Sequence, residues 1–211
     1  MTVKPKKKNL KRLFLFNGLL FVIALGLIQY SVVTHGDESE NLSSPNLSSV
    51  IIPEGEFARK LTLYDAPQSF PNIMFQTAFD KQTSLEDFKG KWVILNFWAT
   101  WCPPCIVEMP YLQKLQDDMG DKGIQVIGVS LDRNMDGKRL RDFMKRHQFG
   151  PIAAYYGDYL TIKDQVELSA LPTTYIIAPN GESIGVYLGD ADWSGEEARA
   201  FITSLLTQAQ R

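Results

Sequence analysis

Residues 92–110 read WVILNFWATWCPPCIVEMP, and this stretch decides the fold. Its first seven residues are apolar apart from Asn96. A short run of that kind suits a strand covered on both faces of a sheet. Pro103 and Pro104 then mark the opening of a helix, expected from about 103 to 119, because a proline there gives up an N–H that would have no partner anyway. Cys102 and Cys105 therefore sit where a buried strand gives way to a helix. A helix N-terminus carries unpaired N–H groups and the positive end of the dipole, and both favour a thiolate over a thiol. Two cysteines three positions apart at such a tip can reach each other. Cys102, at the exposed tip, is expected to attack a disulfide sulfur and form a mixed disulfide. Cys105, one turn in and more buried, then displaces it.

Outward from this core, strands and helices alternate. Residues 124–131 (IQVIGVSL) form a second buried strand. Residues 136–147 form a helix with Leu140, Phe143 and Met144 on one face. Residues 159–168 are a short helix candidate. Residues 173–178 and 183–188 are strands joined by Pro179-Asn180-Gly181-Glu182, in which Asn-Gly is a strong hairpin signal. Ser194, with Glu197 three residues on, is expected to cap a last helix running to about 208. Before the central stretch, residues 73–79 are a plausible strand, and Ser84 with Asp87 resembles a capping box. The order β-α-β-α-β-β-α implies an α/β fold: a mixed central sheet flanked by helices.

The N-terminal end has a different character. Residues 1–12 hold Lys4, Lys6, Lys7, Lys8, Lys11 and Arg12 and no acid, and residues 13–33 carry no charge at all. At about 1.5 Å per residue that apolar run spans a hydrocarbon layer of about 30 Å. The basic flank predicts a cytoplasmic N-terminus and an extracytoplasmic body. The run is long for a cleaved signal peptide, and Ser31-Val32-Val33 is a poor cleavage site. The organisation expected is thus a basic cytoplasmic segment over 1–12, a single-pass transmembrane anchor over 13–33, a flexible tether over 34–59 and a catalytic domain over 60–211.

Composition narrows the function. Setting aside the six N-terminal bases leaves 16 basic residues against 24 acidic ones. An acidic body lacks the basic footprint that nucleic acid requires. The chain has only two cysteines, too few and too close for a disulfide scaffold. They indicate redox chemistry or half of a metal site. A structural zinc site normally takes four ligands, and the only histidines are His35, in the tether, and His147, at a helix end.

With these residues in view, the segment WVILNFWATWCPPCIVEMP resembles the active-site segment of the thioredoxin superfamily, and most closely the TlpA/ResA-like membrane-anchored protein disulfide reductases. Ala170-Leu171-Pro172-Thr173-Thr174-Tyr175 supplies a second matching motif. The resemblance covers residues 60–211 and implies a thioredoxin-like fold. It implies a cis bond before Pro172, which faces the disulfide, with Leu171 and Pro172 lining a substrate groove beside Trp101. Pro110 matches a proline that kinks the active-site helix. Asn96 stands where thioredoxins proper carry a buried aspartate, which puts that mode of proton transfer in doubt. Glu108 matches a glutamate near the disulfide, where it exchanges protons with a cysteine; its other reading is a solvated surface residue. Trp98 belongs to the core, and His147 has no chemical role.

The resemblance further implies disulfide-bearing client proteins, with cytochrome c maturation among the tasks. It implies an electron donor of the transmembrane DsbD/CcdA type, and no cofactor or metal. Two other readings stay open. One is a tethered copper or zinc carrier using Cys102 and Cys105 with His147 or Met109. The other is a peroxiredoxin-type peroxidase, although Ala99 and Leu95 stand where that class has threonine and proline.

Overall fold

In the computed structural model, which describes residues 43–207, eight strands form one sheet: β1 Leu61–Ser69, β2 Met74–Thr77, β3 Gln82–Ser84, β4 Trp92–Trp98, β5 Ile124–Ser130, β6 Tyr155–Tyr156, β7 Thr173–Ile177 and β8 Glu182–Leu188. Their spatial order is β1-β8-β7-β4-β5-β6-β2-β3. The helices are α1 Glu56–Lys60, α2 Pro103–Met119, α3 Gly137–His147, α4 Tyr159–Lys163 and α5 Glu196–Leu206. β4 lies mid-sheet, parallel to β5 and antiparallel to β7. The sheet is therefore mixed, as the element order requires.

All seven residues of β4 are buried. Alternation along a strand sends them to opposite faces. Trp92, Ile94 and Trp98 join the larger core with Leu112 and Leu115 of α2 and Phe201 of α5. Val93, Leu95 and Phe97 join the second core with Phe75, Val129 and Tyr175. Asn96 has the parity of the first set, so its amide lies on the α2 side. Its cross-strand partners are Gly128 and Thr174.

β4 and α2 match the sequence reading. Asp136 caps α3 by accepting from the Arg139 N–H at 2.8 Å. The Asn180-Gly181 hairpin is present, with Gly181 at φ +90°. The Ser84 N–H donates to Asp87 at 2.9 Å, as the capping box implies.

Three expectations need correction. The tether expected over 34–59 is ordered against the domain in its described part: Phe57 is 5% exposed and its ring lies 4.8 Å from Tyr187 and 5.4 Å from Trp193. One buried phenylalanine in a polar stretch is hidden by composition averaging. The last helix is capped by Gly195. Ser194 instead donates its hydroxyl to Asp192 at 2.8 Å, and Glu197 accepts the Phe57 N–H at 2.9 Å. A long-range partner has outcompeted the local one. The short helix expected to reach 168 stops at Lys163.

Residues 1–12 and 13–33 lie outside the described residues. Among the described residues, no helix is long and apolar enough to cross a membrane.

Candidate active site

The site is built where β4 ends. The chain leaves Trp98, turns through Ala99-Thr100-Trp101, and enters α2 with Cys102 as its N-cap. The Cys102 N–H donates to Ala99 O at 3.1 Å, and Cys102 O accepts from Ile106 at 3.2 Å. One carboxylate holds this turn to the end of β5. Asp132 accepts from the Thr100 N–H at 2.9 Å, the Thr100 hydroxyl at 2.6 Å and the Ser130 hydroxyl at 2.7 Å. The Leu131 N–H closes the clamp on Trp98 O at 2.9 Å.

Cys102 and Cys105 are joined in a disulfide. Cys105 is fully buried and Cys102 is 4% exposed. Cys102 is thus less open than an exposed tip would make it; its chain neighbours Trp101, 69% exposed, and Pro103 line the same groove. Cys102 is nonetheless the sulfur residue that lines a groove of about 730 Å³, whose other walls include Trp101, Leu131, Tyr159, Leu168 and Leu171. Cys105 is absent from that wall. The Leu171–Pro172 bond is cis. Leu171 faces the groove, while Pro172 is buried behind it, its carbonyl accepting from Gly189 at 2.9 Å.

The helix tip is short of donors. Of the first three helical residues, Pro103 and Pro104 have no N–H. Only Cys105 offers a first-turn amide toward a Cys102 thiolate. The macrodipole still favours the anion, but a thiolate here accepts fewer hydrogen bonds than at a tip without prolines.

Glu108 is fully buried one turn beyond Cys105, which rules out the solvated reading. Three donors converge on its carboxyl: Asn96 Nδ2 at 2.8 Å, Trp193 Nε1 at 3.1 Å and the Ala191 N–H at 3.3 Å. Desolvation opposes them and wins, holding the carboxyl up at about 7 from an ordinary 4.5, with Asp190 adding to the rise. Asn96 also donates to Thr174 Oγ1 at 3.0 Å, and its own Oδ1 has no partner among the described residues. Asn96 is thus a hydrogen-bond partner of the Glu108 carboxyl.

Asp132, Thr174 and Trp193 were not singled out from sequence. Thr174 belongs to the matching motif around Pro172, which was its one visible signal. Trp193 and Asp132 act on residues 85 and 32 positions away, and no local pattern marks such partners. Trp98 is core as expected, packed on Phe143 and Phe149. His147 stacks on Phe143 at 4.2 Å. Among the described residues no group of three or more His, Cys, Asp or Glu side chains is placed to hold a metal.

The redox pair at a helix tip, on a mixed sheet and beside a cis proline, defines a class: thioredoxin-like thiol–disulfide oxidoreductases. Comparison with known proteins agrees. The model of the AhpC/TSA family matches residues 66–182. The thiol-disulfide oxidoreductase ResA of Oceanobacillus iheyensis is 30% identical over 86% of this chain and 83% of its own length. That of Bacillus subtilis is 31% identical over 86% and 88%. Among solved structures, the thioredoxin domain of a thiol-disulfide oxidoreductase from Bacteroides vulgatus superposes with TM-score 0.55 at 25% identity, covering 68% of this chain and 99% of that one. A secreted thiol-disulfide isomerase from Corynebacterium glutamicum shares the fold at TM-score 0.59 and 19% identity, over 76% and 98%. The chain belongs to the AhpC/TSA family, and its activity is that of a thiol–disulfide oxidoreductase.

Proposed function

We propose that the protein is a membrane-anchored reductase of disulfides in client proteins on the extracytoplasmic side. The observation that carries this reading is the asymmetry of the pair: Cys102 lines the groove and Cys105 is sealed behind it. The Cys102 thiolate attacks one client sulfur, the client S–S bond breaks, and one client thiolate leaves. Cys105, giving its proton to Glu108, attacks Cys102 Sγ and expels the second client thiolate. Two electrons pass from the dithiol to the client, which becomes a dithiol, and Cys102–Cys105 becomes the disulfide. Trp101 and Leu171 position the client strand, and Pro172, buried behind Leu171, holds that wall in place.

The helix tip supports this direction of flow. Disulfide donors of this fold stabilise the reduced thiolate strongly, which makes their disulfides oxidising. With Pro103 and Pro104 withholding two amides, Cys102 is stabilised less, and the dithiol gives up electrons more readily. Residues 13–33 supply the anchor and the basic segment 1–12 its orientation. A disulfide-oxidising compartment keeps client cysteines paired unless a reductant is delivered. The resemblance to TlpA/ResA-like proteins supports cytochrome c maturation as a task, and a transmembrane thiol carrier of the DsbD/CcdA type as the donor that re-reduces the pair.

The test is a trap. In its native membrane, a Cys105→Ala variant is expected to accumulate mixed disulfides through Cys102, since nothing remains to resolve them. An empty Cys102 that stays alkylatable in those cells refutes the reading. Cells lacking the carrier are expected to hold the wild-type pair oxidised.

A further inference from the structure

The groove beside Cys102 has an uneven chemistry. Most of its wall is apolar, with Trp101, Pro104, Tyr159, Leu168 and Leu171 prominent. Two charged side chains, Asp132 and Arg133, also line it. The Asp132 carboxylate is already committed, accepting three hydrogen bonds at 2.6–2.9 Å from Thr100 and Ser130. Arg133 next to it is exposed and makes no hydrogen bond or ion pair with any described residue. Its neighbours on α3 differ: Arg139 pairs with Asp136 and Lys138 with Asp142. The clamp that fixes Asp132 also fixes the backbone from which Arg133 projects, so the guanidinium is presented from a rigid base.

We infer that Arg133 is a specificity-determining residue, and that the groove selects client segments carrying a carboxylate close to the disulfide, flanked by apolar residues. This rests on the proposed reduction of client disulfides and names the client's chemistry. A guanidinium offers a carboxylate two parallel N–H donors. The apolar walls remove water from one side of that pair, which strengthens it over an open surface contact. Lysine at the same client position meets the like charge of Arg133; Asp132 keeps its own negative charge, but its hydrogen bonds to Thr100 and Ser130 hold that carboxylate against the turn rather than free to swing toward the client.

The experiment uses the full chain in detergent, reduced beforehand, mixed in single turnover with a set of apolar disulfide peptides. The peptides differ only in having Asp, Ser or Lys beside one cysteine. Each rate is divided by the rate of the same peptide with dithiothreitol, which removes the peptide's own effect on its disulfide. The wild type is expected to favour Asp over Lys by about fivefold, the upper range for a partly exposed pair. Arg133→Ala is expected to bring that ratio close to one, and Arg133→Glu to invert it. Raising the salt concentration should narrow the wild-type ratio. An Asp/Lys ratio unchanged across the three proteins overturns the assignment of Arg133. A wild type that reduces none of the peptides, nor insulin, overturns the reductase reading beneath it.

Discussion

At the residue scale, Glu108 is held between opposing effects. Three N–H donors favour its ionised form, while complete burial favours the neutral one, and burial prevails. A carboxyl lying at about 7 exchanges protons near neutrality, which is what a resolving cysteine needs. The folded protein holds this proton more tightly than the unfolded chain does. The contribution of Glu108 to stability is therefore fully present below about 4.5 and is lost as pH rises from there through about 7, by on the order of 3 kcal/mol. Glu108→Gln is expected to flatten that slope in urea unfolding followed from pH 5 to 8. The same variant should slow release from the mixed disulfide about a hundredfold and remove its inflection near neutrality. Superimposable pH–rate profiles would dispose of the proton-acceptor role. Asp132 makes a simpler case: Asp132→Ala strands two donors of Thr100 and one of Ser130. A loss of about 1–3 kcal/mol is expected in thermal unfolding, and an unchanged midpoint would show that the clamp carries no load.

At the element scale, the proposed direction of electron flow rests on α2 and the turn before it. Pro103 and Pro104 remove two donors from the tip that faces Cys102. Replacing both with alanine restores those amides. Equilibration with glutathione is then expected to show a potential more oxidising by about 30 mV, a tenfold shift in the equilibrium, and a lower pH for Cys102 thiolate formation. A potential unmoved or more reducing contradicts the donor-poor account of this tip. The elements legible in the sequence are those specified locally. β4 is a continuous apolar run, α2 opens on two prolines, and the β7–β8 hairpin announces itself with Asn180-Gly181. β1, β3 and β6 escaped because they lie away from the sheet centre or are very short. β6 has two residues, and β1 shows no period-2 burial. Ser194 looked like a cap because the spacing to Glu197 was right, but Glu197 found the Phe57 amide on a segment 140 positions away. Likewise the two cysteines and Pro172 could be read from motifs, whereas Trp193 and Thr174 reach Glu108 and Asn96 only through the fold.

At the scale of the whole molecule, the proposed function requires a redox domain on one side of a membrane and its electron supply within it. A phosphatase reporter fused after residue 211 is expected to be active outside the cytoplasm, and removal of residues 1–33 to leave the protein out of the membrane fraction. A silent reporter with an intact fusion would place the domain on the wrong side for its clients. All of this depends on one division of labour: Cys102 attacks, and Cys105 resolves. Timed alkylation of the reduced full chain at neutral pH, read residue by residue by mass spectrometry, tests it most directly. The account predicts that Cys102 is modified well before Cys105 and faster than free cysteine at the same pH. Equal labelling of the two, or labelling of Cys105 first, contradicts it.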